Sequence, residues 1–433
     1  MLGLGLVAVC GCGLDTAGLD SRLPMDSGAD TRRDASLDAG APPDAPAIPF
    51  DAGEDFDAGA ALIDSGPSSV DSGGTTPDAG GPGLDAGPPP PPPLMVTAGG
   101  AHACDWRRGD PPRCWGNNAV GQLGLGDLTE RDTPVRLVGG YNVVSAGGAH
   151  TCAIDIGSRL ACWGEGANGR LGTGGTSRVM SPTLVGGDSD WVTVSAGVAH
   201  SCGIRAGGAL YCWGAGANGR LGVGGTTDQT SPTHVGTSTW RTVSAGGTHS
   251  CAIADDGTLW CWGDNGRGQL GVAGGGPAAV QVGSSSDWLH VSAGGDHTCG
   301  IRGAGSLFCW GRNNKGQRGD GSTGSDGPTV REVAGTWRAV AAGTFHTCAV
   351  RDDASVWCWG DGADGELGRG AGAPAMTGVP MAVTGGGSYG AVAAGDSFSC
   401  ATRADALVCW GLGDVGQLGV GDTAGRDVPT AVR

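Results

Sequence analysis

Lysine is all but missing from this chain: Lys315 is the only one in 433 residues. Nucleic-acid phosphates need clustered cations, and a formal net charge of −17 offers no such patch. Aromatic residues make up 5 % of the chain. Long apolar runs are also missing. The longest, near Leu2–Val9, falls well short of the roughly 20 residues needed to span a bilayer. No amphipathic stretch of useful length suggests a helix. A nucleophile elbow, an H-E-x-x-H zinc motif, a phosphate loop and a dinucleotide fingerprint are all absent. The expectation is therefore a binding protein without cofactor, not an enzyme and not a nucleic-acid binder.

Glycine and cysteine are abundant instead, with 89 Gly and 16 Cys. Their distribution divides the chain into three parts: 1–12, 13–93 and 94–433. Residues 13–93 hold 15 Asp/Glu against Arg22, Arg32 and Arg33, with Phe50 and Phe56 as their only aromatics. Such a segment buries too little apolar area to offset its ordering entropy, so it is predicted to be a disordered Pro/Asp/Gly-rich tether. Asp57, Asp64, Asp71, Asp78 and Asp85 recur at a spacing of seven, but Gly and Pro within the repeat exclude a coiled coil. They read as a solvated spacer rather than a calcium site. Pro88–Pro93 form a run of six prolines, a stiff rod ahead of the third part. The tether would reach about 50 Å as a flexible chain.

At the N-terminus, Leu2–Val9 precedes Cys10-Gly11-Cys12. The stretch Val9–Cys12 resembles a bacterial lipobox after a short export signal. The resemblance implies lipidation of Cys12 and a place at the bacterial outer membrane or cell surface.

From Leu94 onward the chain repeats. Cys-Trp-Gly begins at Cys114, Cys162, Cys212, Cys261, Cys309, Cys358 and Cys409, a period near 49. One unit shows the pattern: Val192–Gly197 alternates as a strand, His200–Ile204 is a second, Leu210–Gly214 a third, and Ser231–Val235 a fourth with Pro at its edge. Four short strands in each of seven units predict an all-β, seven-bladed β-propeller. The two ends of the repeat region supply adjacent pieces of the pattern and should meet at ring closure.

Each unit also carries one cysteine pair on successive strands: Cys104/Cys114, Cys152/Cys162, Cys202/Cys212, Cys251/Cys261, Cys299/Cys309, Cys348/Cys358 and Cys400/Cys409. Pairing Ile154 with Leu160 sets Cys152 opposite Cys162. In the last unit, Thr402 opposite Leu407 sets Cys400 opposite Cys409 despite a turn one residue shorter. Seven disulfides are expected, and with them an oxidising compartment. A zinc set is not: six units place one His in a His-x-Cys pattern beside their two Cys, without C-x-x-C spacing.

The pattern A-G-x-x-H-[ST]-x-x-I…G-x-L-x-x-W-G-x-x-x-x-G-Q-L-G, as in Gly116–Gly126 (GNNAVGQLGLG) and Gly263–Gly271 (GDNGRGQLG), resembles the regulator of chromosome condensation repeat family. The resemblance implies a seven-bladed propeller and a turn-capping role for the repeated His. Phe398 in place of His, and Gln317-Arg318-Gly319 in place of Gln-Leu-Gly, depart from it. The seven Trp of Cys-Trp-Gly read as packing between blades, and Trp191, Trp240, Trp288 and Trp337 as structural. Less regular aromatics, Trp106, Trp260 and Trp357, are the candidates for ligand contact. The reading favoured is a monomeric, surface-tethered module for a protein or glycan. Propellers similar to this one inhibit β-lactamases, the family's best-known member exchanges guanine nucleotides, and other propellers host carbohydrate chemistry. Those are the alternatives.

Overall fold

A computed structural model describes residues 91–404 and 406–433. Cys12 and residues 13–90 of the tether lie outside the described residues. The described chain forms seven four-stranded antiparallel sheets, with two single 3-10 turns at Ala167–Gly169 and Ala217–Gly219 as its helical elements. Among the described residues no helix is long and apolar enough to cross a membrane.

The inner strands of blades 1 to 7 are Met95–Ala98, Tyr141–Ala146, Trp191–Ala196, Trp240–Ala245, Trp288–Ala293, Trp337–Ala342 and Tyr389–Ala394. Each packs against the inner strands of its two neighbours, and blade 7 meets blade 1. Every blade is one continuous piece of chain. Blade 7 runs from Tyr389 to its outer strand Arg426–Ala431 without borrowing a strand from the N-terminus. The seam therefore falls between blades.

The second and third strands pair in the register read from the sequence: Ile154 opposite Leu160 and Cys152 opposite Cys162, Thr402 opposite Leu407 and Cys400 opposite Cys409. All seven cysteine pairs are disulfides, with Cα atoms 4.1–4.2 Å apart. That is the close spacing of opposed residues that exchange no backbone hydrogen bond.

The cores lie between blades. Cys202, Ile204, Leu210 and Leu221 of blade 3 meet Trp240, Val243 and Trp262 of blade 4, and the other junctions repeat this arrangement. The seven Cys-Trp-Gly tryptophans are all 0 % exposed. Burying one such side chain removes about 200 Å² from water, or about 5 kcal/mol. Two glycines per repeat permit this closeness. The glycine of Cys-Trp-Gly has a φ between +99° and +110°, where an L side chain is strained, and a Cβ on Gly214 would lie 2.6 Å from His200 Cα. A Cβ on Gly99 would lie 2.4 Å from the Gly147 carbonyl oxygen of the next blade.

Arg318 stands where six blades have a buried Leu, yet it is only 4 % exposed. Its guanidinium lies 3.1 Å from Asp320 Oδ2 and donates to Ser322 Oγ at 3.0 Å. In blades 4 and 7 the same two positions hold Leu270/Val272 and Leu418/Val420. A buried ion pair attracts strongly but has lost its hydration. Arg318→Leu alone is expected to cost about 3 kcal/mol by stranding Asp320. Arg318→Leu with Asp320→Val should equal or exceed the wild-type stability by about 1–4 kcal/mol. Denaturant titration of both variants checks this.

A mixed-charge arc at the channel mouth

The loops after the inner and third strands share one face of the ring. They are tied together in each blade by the same backbone bond, from the residue after Cys-Trp-Gly to the residue before the repeated His. These bonds are Asn117 to Ala101, Glu165 to Ala149, Ala215 to Ala199, Asp264 to Thr248, Arg312 to Asp296, Asp361 to Phe345 and Leu412 to Ser397, all 2.8–3.1 Å. The shared geometry makes the fourteen positions equivalent, so their side chains can be compared directly.

Blades 1, 2, 3 and 7 offer mostly small or apolar side chains here. Blades 4, 5 and 6 do not. Gln269 Nε2 donates to Thr248 Oγ1 at 3.2 Å and to Asp264 Oδ2 at 3.1 Å. Thr248 Oγ1 donates to Asp296 Oδ1 at 3.1 Å, and Arg312 donates to Asp296 Oδ2 at 3.1 Å. The Arg312 guanidinium also lies over the Phe345 ring, 4.7 Å from its centre, a favourable cation–π distance. Lys315 Nζ reaches Asp361 Oδ2 at 2.8 Å. These contacts cross both blade boundaries and make one continuous arc of mixed charge. It is half-buried: Asp296 and Arg312 are 23 % and 21 % exposed.

Glu366 lies beside this arc, at the position held by Gln in four blades and Arg in two. Burial, with Asp361 and Asp364 adding to it, raises its carboxyl to about 7. Opposite the arc, the mouth opens into a depression of about 320 Å³ lined by Gly100, Ala149, Val198, Arg170 and Asp396. Among the described residues no group of three His, Cys, Asp or Glu converges as a metal would require.

The repeated histidines do not cap turns. Each reaches the next blade: His102 Nε2 to Thr151 Oγ1, His150 to Ser201, His200 to Ser250, His249 to Thr298, His297 to Thr347 and His346 to Ser399, all 2.7–2.9 Å. Each hydroxyl donates onward to a backbone carbonyl, as Thr151 does to Gln122 at 2.8 Å. That carbonyl also accepts the Trp163 indole N–H at 3.0 Å. The hydroxyl proton is thus committed, so the histidine must donate through Nε2. Its Nδ1 is then a bare lone pair, and in all six it is buried without a partner. Burial lowers His102 and His346 to about 4 and His249 and His297 to about 3, and lowers His150 and His200 well below the usual value.

The seam departs from this pattern twice, in a matched way. Phe398 replaces the His of blade 7, and Ala103 replaces the hydroxyl residue of blade 1 that would receive it. The two share one apolar cluster. Removing both members of a buried polar pair avoids stranding either.

The sequence-derived contact candidates are scattered. Trp106 in blade 1 is 2 % exposed and donates to the Asn142 carbonyl at 3.3 Å, so it is a packing residue. Trp260 in blade 4 and Trp357 in blade 6 are half-buried and donate to Thr258 and Ser355. Arg351 stacks 3.8 Å from the centre of the Trp357 ring. No single site joins the three.

The profile of the regulator of chromosome condensation (RCC1) repeat matches residues 114–154, 159–204, 207–253, 256–301, 304–350 and 353–402. A second profile of the same repeat matches 191–220, 240–269, 288–317 and 337–366. This chain belongs to the RCC1 repeat family. Among solved structures, yeast RCC1 (Prp20), crystallised bound to Kap60, is similar. It is 21 % identical with a TM-score of 0.68, over 74 % of this chain and 83 % of that one. Prp20p of Saccharomyces cerevisiae, described with its binding properties to Gsp1p and histones, is 22 % identical with a TM-score of 0.68, over 75 % and 86 %. Human WBSCR16 is 20 % identical with a TM-score of 0.68, over 75 % and 95 %. At such identities the likeness is one of fold. A search of the curated proteins found no match. Within this RCC1-repeat propeller, the arc over blades 4 to 6 is where the repeats differ most at the mouth. Sequence reading missed it. Overlaying the seven units on Cys-Trp-Gly and comparing the next residue would have found it.

Proposed function

We propose that this chain is an exported propeller, held at a bacterial cell surface by a lipid on Cys12, that binds a protein partner through the mixed-charge arc of blades 4 to 6. No catalytic step is part of this reading. The observation that carries it is the concentration of charge at otherwise equivalent positions: Asp264, Asp296, Arg312 and Asp361 lie in blades 4 to 6, against Glu165 alone in the other four. A scaffold of repeats needs the same groups in every blade, so what differs is free to recognise something. Export is supported by the pairing of fourteen cysteines, which persists in oxidising compartments. A protein is favoured over a glycan because fixed charges of both signs suit a complementary charged surface. The yeast relative is likewise described with proteins: Kap60, Gsp1p and histones.

The test is photocrosslinking in the source cell with benzoylphenylalanine at position 345 or, as a control, position 149 of blade 2. A discrete protein adduct from position 345, lost on Arg312→Glu and absent from position 149, is the expected result. The same adducts from both positions, or none from 345, would overturn the reading.

A further inference from the structure

The outer strand of each blade has one unpaired edge, and such edges invite pairing with other chains. Most blades close theirs with proline. In blade 2 the Val185 N–H donates to the Leu160 carbonyl at 2.9 Å. Cys162 pairs with Thr183 and Ala161 with Leu184. Alternation along an antiparallel strand then turns the backbone of Leu184 and Pro182 away from the sheet. Counting back three residues from the equivalent inward bonds of Leu137, Val235, Val383 and Val432 reaches Pro134, Pro232, Pro380 and Pro429. In five blades, therefore, the outward-facing position lacks an N–H.

Blades 4 and 5 lack this guard. In blade 4 the position is Ala279, but the outer strand is only Val280–Gln281, too short to template a partner. In blade 5 the outer strand is Gly327–Val333, seven residues long, and its single proline, Pro328, lies at the start. Val333 pairs with Leu307 and Arg331 with Cys309, so Val330 stands where the others have proline. Val330 and Glu332 thus present free N–H and C=O groups to solvent. Thr329, Arg331 and Glu332 are exposed.

At the start of the same strand lies a cavity of about 250 Å³, lined by Asn265, Arg267, Val272 and Gly274 of blade 4 and by Asp326 and Pro328 of blade 5. Its rim carries the Arg267–Asp326 ion pair at 3.0 Å.

We propose that blade 5 is a docking edge, which takes an extended segment of a partner protein as a fifth, antiparallel strand along Thr329–Val333. This goes beyond the arc at the mouth and does not depend on it. A second copy of this chain fits poorly. Pairing Val330 with its own copy sets Glu332 against Pro328, which has no N–H. Pairing Glu332 with its copy opposes two carboxylates, and pairing Val330 with Glu332 of the other copy opposes two Arg331. Like charges directly across a ladder repel. The fitted segment is a different chain, with an acidic residue facing Arg331, a basic one facing Glu332 and no proline between. Main-chain bonds supply affinity in this mode and side-chain pockets supply selectivity. The cavity would receive the residue at the end of the added strand.

The probe is a phage-displayed library of random eight-residue peptides, panned on the full chain with Val330→Pro as the counter-selection. That variant copies five other blades, and its melting temperature should match the wild type. Enriched peptides should bind Val330→Pro at least tenfold more weakly and bind Ala279→Pro as they bind the wild type. They should also slow amide exchange at Val330 and Glu332, and be unaffected by Arg312→Glu. Peptides that bind Val330→Pro equally well, or a library with none enriched over that variant, would overturn the proposal.

Discussion

Acidification from about pH 7.5 to about pH 5 is expected to destabilise the ring by on the order of 10 kcal/mol. The six latch histidines titrate near 6.5 when unfolded, but burial holds them far lower when folded, to about 4 for His102 and His346 and about 3 for His249 and His297. The neutral form is therefore the one the fold prefers. The stability this represents is fully present above about pH 6.5, and it declines as pH falls below that value toward the folded pKa. Each group approaches a loss of about 1.4 kcal/mol per pH unit, or about 2 kcal/mol by pH 5. The cause is local: a second proton would sit on a buried Nδ1 that has no acceptor. Glu366 acts with the opposite sign, because its carboxyl is raised to about 7 and its protonated form favours the fold, but it is one group against six. Denaturant midpoints measured across this range check the expectation. His346→Phe with Ser399→Ala copies the apolar pair at the seam and should flatten the slope by about one sixth. A midpoint that does not move between neutrality and pH 5 would show that the latches do not carry the ring.

How the fold could be read in advance, and where reading stopped, follows from distance along the chain. Facing cysteines within a hairpin are about ten residues apart, so alternation alone decides them, and Cys400/Cys409 could be placed despite its shortened turn. The histidine partners lie in the next unit, 49 residues on for His102 and Thr151, so no reading within one unit could find them. They become visible only as a correlation between units: Phe398 loses the imidazole in the blade whose neighbour, through Ala103, has lost the hydroxyl. The same holds for Arg318, whose departure from Leu makes sense once Asp320 is seen to replace Val. Trp106 was singled out for its irregular position in the repeat, but irregularity in sequence does not imply exposure, and this side chain fills an inter-blade gap. The mouth arc and the unguarded edge of blade 5 were legible in principle. Both are differences between equivalent positions, and equivalence is set by backbone bonds that spacing alone does not identify.

Full reduction is expected to unfold the propeller at neutral pH. Each disulfide closes a loop of about 11 residues, which the chain-entropy account values at about 2–3 kcal/mol. Seven such terms sum to on the order of 15–20 kcal/mol, at or above the 5–15 kcal/mol net stability usual for folded proteins. The blades are poor in alternatives. Each sheet has four short strands, and its core exists only where a neighbouring blade covers it, so loosening one hairpin uncovers two junctions. The path to reduction should also be slow, because all fourteen sulfurs are 0 % exposed and thiolate attack requires access. Incubation with excess reductant should therefore show a lag, followed by cooperative loss of the near-ultraviolet tryptophan signal and an intact-mass gain of about 14 Da, two per bridge. A single pair replaced by serine, as in Cys202→Ser with Cys212→Ser, should cost about 2–3 kcal/mol and leave the ring closed. If instead the fully reduced chain kept its tryptophan signal and melted only a few degrees lower, the burial between blades would suffice by itself. The seven bridges would then serve resistance to unfolding outside the cell rather than the existence of the fold.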